Sequence, residues 1–345
     1  MEDKTGINTL SVSSGCRLSV LGAGAWGTAL AIHFAQYMDV SLWSIDADQV
    51  NTLLQDRVNS AFLPGYELPA RLMPTASWEV AMTADIIIVA TPTAAIPALA
   101  LRFPAGISTP VIIASKGFVD DGGEPMLSVE YLKKQLGPES NVGVLSGPSF
   151  AQELAQGKPT ALTLAFSDSA LASKVAKQLH VGSLRVYSTT DTIGVSVGGA
   201  VKNVMAIATG LCDGMQLGAN ARAALITRGL AEIIRFGVAL GAKAATFSGL
   251  AGMGDLILTT TGDLSRNRQV GLLLAQGKTL EDILQNLGHV AEGVMTARIV
   301  NGWAKKMGVD MPISAAIFDI LTGNITPKVA LEQLIGRDQK FESVV

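Results

Sequence analysis

The stretch RLSVLGAGAWGTALAIHF at residues 17–34 decides the reading of this chain. Arg17 to Leu21 is a short β-rich run, and glycines stand at positions 22, 24 and 27. A helix-compatible segment, Ala25 to Tyr37, follows. In such a strand–turn–helix the first glycine permits the tight turn. The second lets a pyrophosphate approach the backbone, and the third lets helix and strand pack together. The helix start adds free N–H groups and the positive end of a dipole. A chain with 36 glycines produces such spacings by chance. Position supplies the evidence here, because strand, turn, helix and a second strand at Val40 to Ser44 follow in register, making Gly22, Gly24 and Gly27 candidates for dinucleotide binding.

Outward from this turn, short β-rich runs alternate with helical patterns, the signature of βαβ units. Further strands are expected at Asp85 to Ala90, Pro110 to Ala114, Val142 to Ser146, Thr160 to Phe166 and Leu184 to Tyr187. Helices are expected at Ala47 to Arg57, Glu124 to Leu136 and Ala170 to His180. After about Asp191 the β-rich runs stop, and Ala, Leu, Ile, Met and Gly recur with helical spacing. The expected architecture is an α/β Rossmann-like N-terminal domain with a mostly parallel sheet, followed by an all-α C-terminal domain. Residues 1–16 read as a flexible leader, 17–190 as the dinucleotide-binding domain, and 191–345 as the helical substrate-binding and catalytic domain.

The chain's 345 residues suffice for two such cores, and a 48% hydrophobic composition with only 16% charged residues excludes disorder. A net charge of -3 gives no basic field for nucleic acid or an anionic membrane, so any phosphate binding must be local. Cys16 and Cys212 are distant in sequence and unlike a disulfide framework or a zinc cluster, and His33, His180 and His289 are scattered. No metal site is expected, and a reducing, cytoplasmic compartment fits. The apolar run Leu18 to Phe34 is interrupted by glycines and preceded by Glu2 and Asp3, which argues against an export signal or a membrane span.

Several polar residues stand where the chain is otherwise apolar. Lys202 and Asn203 interrupt the run Gly198 to Ile207, and burying them is costly unless they are paired or useful. Lys202 is either a general acid/base with a pKa lowered by desolvation, or a lysine whose stem lies along a solvated stripe. Ser115-Lys116-Gly117 and Ser146-Gly147-Pro148-Ser149 each follow a strand at the sheet edge where ligands of open α/β sheets gather, although either could be an ordinary turn. Asp255, in Gly252 to Leu256, and Ser265-Arg266-Asn267-Arg268 combine a carboxylate with phosphate-binding donors. The alternative for the latter is a helix cap at Ser265 or Asp263. At the end of the second strand, Asp46 either holds the adenosine ribose or caps the next helix.

Taken together these segments resemble the bacterial-type NAD(P)-dependent glycerol-3-phosphate dehydrogenases. The likeness runs from about Leu18 to beyond Pro312. It is carried by GAGAWGTALA at 22–31, SKG at 115–117, SGPSFAQE at 146–153, GGAVKNVMAIATG at 198–210, NARAALITRGLAE at 220–232, GLAGMGDLILT at 249–259, SRNR at 265–268 and AEGV at 291–294. The resemblance implies that Lys202 is the catalytic proton donor and acceptor. It implies substrate contacts at Lys116, Gly147, Ser149, Lys202, Asp255, Ser265, Arg266 and Asn267. Cofactor contacts are implied at Ala25, Trp26, Lys116, Ala151, Arg266, Val290 and Glu292. It further implies NAD(P) as cofactor, glycerol 3-phosphate and dihydroxyacetone phosphate as substrates, a homodimer, and a role in phospholipid synthesis. Where many relatives carry Arg or His after the second-strand Trp, this chain has Ser44 and Ile45, so a weakened preference for NADPH is expected.

Overall fold

A computed structural model describes residues 15–287 and 292–337. Twelve strands are present: β1 (Arg17–Leu21), β2 (Asp39–Trp43), β3 (Val58–Asn59), β4 (Leu63–Glu67), β5 (Leu72–Thr75), β6 (Ile86–Val89), β7 (Val111–Ile113), β8 (Phe118–Asp121), β9 (Glu124–Leu127), β10 (Val142–Ser146), β11 (Thr160–Ala165) and β12 (Leu184–Thr189). Eight of them form one sheet in the order β12-β11-β10-β7-β6-β1-β2-β5. Neighbours are parallel except β10 and β11, so the sheet is mostly parallel, as the alternation of runs and helices implied. The order reverses at β1, whose neighbours are β2 on one side and β6 on the other, and that reversal opens a crevice at the strands' carboxyl ends.

Parallel strands bury both faces, which is why the central strands β6 and β7 are continuously apolar. Ile86 and Ile88 pack with the helices Ala25–Phe34 and Ser169–Leu179 on one face. Ile87, Val89, Val111 and Ile113 face the other way and share one core with Val197, Val201 and Met205 of the helical half. A hydrophobic core that runs unbroken from the sheet into the helices fixes one against the other.

Several regions depart from the sequence reading, which expects no strand at β3 or β4. Glu124 to Leu127 is not the start of a helix but strand β9, paired with β8, and the helix begins only at Ser128. Gly122 and Gly123 adopt φ of 65° and 94°, and the Asp120 carboxylate accepts the Gly123 N–H at 2.7 Å, so a hairpin turn forms before a helix can. Strand β5 was not foreseen, because Pro74 weakens its β signal. It lies at the sheet edge, where proline is tolerated. Cys16, placed in the leader by sequence, is buried.

After β12 the described chain is helical. The central helix, Thr192–Gly214, is the one described helix long and apolar enough to cross a membrane, and it is instead buried inside the protein. Asp191 starts it, accepting the Gly194 N–H at 2.8 Å with one oxygen and the Lys243 N–H at 2.9 Å with the other.

Candidate active site

The glycine turn joins β1 to the helix Ala25–Phe34 under tight constraint. Gly22 has φ 112°, and a Cβ there would lie 2.8 Å from the Thr91 backbone nitrogen beyond β6. A Cβ on Gly27 would strike the carbonyl oxygen of Gly22. Gly24, the helix N-cap, has extended backbone, no side-chain cap and open space where a Cβ would stand. The turn is therefore packed below and bare above, as an anion cradle requires. Two amides hold it from beneath, since Gln49 Nε2 and Asn59 Nδ2 each donate to the Ala23 carbonyl at 2.9 Å. Sequence reading missed both, and nothing local marks them.

Along the carboxyl edge of the sheet, the Trp26 indole nitrogen and the hydroxyls of Thr91 and Ser115 are buried without a partner. Such groups cost about 1–3 kcal/mol each unless a ligand satisfies them. Bare helix N–H groups beside orphaned neutral donors suit a dinucleotide carrying a pyrophosphate and a polar ring. Among the described residues no group of three or more His, Cys, Asp or Glu could hold a metal.

At the end of β2, Asp46 caps the helix Ala47–Asp56, its carboxylate accepting the N–H groups of Asp48 and Gln49 at 2.9 and 3.1 Å. The Ser44 hydroxyl donates to Gln49 Oε1 at 2.6 Å, and Ile45 is exposed. No cation occupies these two positions.

Five of the expected residues converge between the sheet edge and the helices. Lys202, in the middle of the central helix, places its Nζ 3.1 Å from one oxygen of Asp255. Lys116, beyond β7, donates to the other oxygen at 2.6 Å and to the Gly147 carbonyl at 3.1 Å. The Ser149 hydroxyl donates to that same carbonyl at 3.0 Å. Ser146, missed as a site residue although its motif was singled out, donates to Asp255 at 3.4 Å. Asp255 is 1% exposed and Lys202 6%, so this carboxylate and this ammonium are out of water, while the half-buried Lys116 shares the same carboxylate. Burial lowers the Lys202 pKa from its ordinary value to about 8, Asp255 pulling it upward and Lys116 and Arg266 pushing it down.

Of the remaining expected residues, Arg266 lies near this cluster. Ser265 caps the helix Arg266–Ala275 by accepting the Arg268 N–H at 3.3 Å. Asn267 accepts the Gly293 N–H at 3.1 Å through Oδ1, which leaves its amide nitrogen free to donate. Arg266 is exposed and close enough to Lys202 and Glu292 to bias both. Glu292 accepts the Thr93 backbone N–H at 3.0 Å, a direct link between the helices and the sheet, and burial raises its pKa. Ala25, Trp26 and Ala151 lie in the first turns of their helices. Val290 lies outside the described residues.

Comparison with known proteins assigns kinship to both halves. The profile described as NAD-dependent glycerol-3-phosphate dehydrogenase N-terminus matches residues 17–172, and the corresponding C-terminus profile matches 191–332. A glycerol-3-phosphate dehydrogenase [NAD(P)+] of Dechloromonas aromatica (strain RCB) is 54% identical over 94% of this chain and 99% of that protein. One from Paucimonas lemoignei is 50% identical over 95% and 99% respectively. The crystal structure of glycerol-3-phosphate dehydrogenase from Coxiella burnetii aligns with a TM-score of 0.87 at 37% identity, covering 94% of this chain and 99% of that one.

Proposed function

This chain belongs to the NAD-dependent glycerol-3-phosphate dehydrogenase family, and from that premise we propose a division of labour in which Lys202 moves the proton while Arg266 and Asn267 hold the substrate phosphate. The family activity interconverts glycerol 3-phosphate and dihydroxyacetone phosphate with NAD(P). A bound nicotinamide supplies the hydride to the substrate's C2 in reduction and takes it up in oxidation.

The chain's own groups account for the rest. As C2 gains its hydride, the former carbonyl oxygen becomes an alkoxide, and the Lys202 ammonium donates a proton to it. In oxidation the neutral amine accepts that proton from the hydroxyl. A lysine titrating near 8 can serve both directions near neutral pH. Asp255 orients both ammonium groups and Lys116 keeps the site net cationic, which favours an anionic substrate. Arg266 presents a planar fork suited to phosphate oxygens, and Asn267 adds a neutral donor.

The observation that carries this reading is the Lys116–Asp255–Lys202 cluster, buried between the sheet edge and the central helix. The proposal extends to a homodimer and to a cytoplasmic role supplying the glycerol backbone of phospholipids, which rests on the family resemblance. An absorbance assay with dihydroxyacetone phosphate and NADH or NADPH tests the catalytic core of the proposal. Lys202→Ala is expected to lose turnover by at least about 100-fold while keeping its affinity for NADH. Near-normal turnover in that variant would remove Lys202 from the mechanism.

A further inference from the structure

The two arginines of the SRNR segment have separate environments. Arg266 is exposed, and no hydrogen bond or ion pair engages its side chain among the described residues. Arg268 points the other way with its side chain 12% exposed. Its Nε and Nη2 both donate to one oxygen of Asp213, at 3.1 and 2.7 Å, and Nη1 donates to Asp263 at 3.0 Å. Asp213 lies near the end of the central helix, about three turns beyond Lys202. It also receives Arg222 Nη1 at 3.1 Å.

The backbones of the two helices touch at the same place. A Cβ on Gly210 would strike the carbonyl oxygen of Arg268, and one on Gly271 the carbonyl oxygen of Ile207. Close contact prevents the helices from interpenetrating, but glycine surfaces are smooth and do little to stop sliding. The Arg268–Asp213 pair supplies what they lack, a directional anchor between the phosphate-side turn and the helix carrying Lys202.

We propose that Arg268, through Asp213, is a positioning residue for phosphate recognition. It fixes the span between the donors of Arg266 and Asn267 and the ammonium of Lys202, so that the site accepts a three-carbon phosphate with C2 beside Lys202. The inference rests on the reading that Arg266 and Asn267 take the phosphate. Lysine cannot reproduce the arrangement, because it lacks the fork that reaches Asp213 and Asp263 together.

The test compares full-length Arg268→Lys, Asp213→Asn, Arg222→Gln and Arg266→Ala, using dihydroxyacetone phosphate, unphosphorylated dihydroxyacetone and inorganic phosphate as probes. In Arg268→Lys and Asp213→Asn, kcat/KM for dihydroxyacetone phosphate is expected to fall about tenfold or more, chiefly through KM, and the inhibition constant for inorganic phosphate to rise in parallel. Activity toward dihydroxyacetone and affinity for NADH, read by its fluorescence, should stay within about twofold. Arg222→Gln shares Asp213 but does not touch the turn, and should show no phosphate-specific loss. Equal falls for both substrates, or unchanged phosphate inhibition, would overturn the positioning role. If Arg266→Ala kept a normal KM and normal phosphate inhibition, the underlying phosphate assignment would be the one to fall.

Discussion

Asp255 holds the Lys202 ammonium at 3.1 Å with one carboxylate oxygen while the other binds Lys116 at 2.6 Å, so the charge that steadies Lys202 is shared with a competing cation. With Lys202 as the proposed proton donor, reduction needs the lysine protonated, and its pKa of about 8 therefore sets a sign. The kcat/KM for dihydroxyacetone phosphate reduction should be flat below that pH and fall above it, whereas glycerol 3-phosphate oxidation should rise toward it. Asp255→Asn removes the attraction that raises the pKa, so the descending limb of the reduction profile should move to lower pH. A limb that stays in place would assign the titration to another group.

The glycine turn separates packing from ligand access. Gly27→Ala drives a methyl group into the Gly22 carbonyl and should cost about 1–3 kcal/mol of stability, seen as a lower Tm. Gly24→Ala meets nothing within 4 Å and needs no unusual φ. It should leave Tm almost unchanged while weakening NADH binding about tenfold, because the methyl group occupies the approach to the helix N-terminus. Titration of NADH fluorescence with both variants checks the contrast.

Cofactor choice is expected to turn on the end of β2. Ser44 and Ile45 offer no cation for a 2′-phosphate, so the NADPH to NADH ratio of kcat/KM is expected to be modest, and Ser44→Arg should raise it. Strong NADPH selectivity in the unmodified protein would contradict this. Asp46→Ala, which removes the helix cap, should lower stability by about 1 kcal/mol.

Glu232 is a buried carboxylate outside the active site. It accepts the Ile313 N–H at 2.6 Å, the Ser314 N–H at 3.1 Å and the Ser314 hydroxyl at 3.0 Å, so it ties the helix Gly218–Ala239 to the start of the helix Pro312–Leu321. Burial raises its pKa from 4.5 to about 7, against the pull of those donors and of Arg235. With the folded value above the unfolded one, the folded state binds the extra proton between these pH values, and stability from this group declines as pH rises through them. Glu232→Gln should lower Tm by turning an N–H toward N–H donors, and should flatten the Tm profile between pH 4.5 and 7. An unchanged slope would clear Glu232 of that role.

The order of strands and helices was legible in the sequence because period and glycine placement act over a few residues. β1 and β10 fall where their apolar runs begin and end. Lys202 also stood out, since a lysine inside an apolar helix is conspicuous wherever the helix lies. Hairpin β8–β9 was misread because Glu124 to Leu136 is mostly helix-compatible, with Pro125 tolerated in a first helical turn, and the two glycines before it dictate the turn.

What the chain alone determined, then, is most of the strands of the main sheet and which residues are chemically out of place. Tertiary structure decided the pairings. Asp255 meets Lys116 across 139 residues of chain, Asp46 proves to cap a helix, and Arg266 is left open while Arg268 is tied to Asp213. Local sequence encodes backbone preference through short-range sterics and hydrogen bonding. The partner of a charge depends on which distant elements the core brings within a few ångströms, and no window of sequence contains that distance.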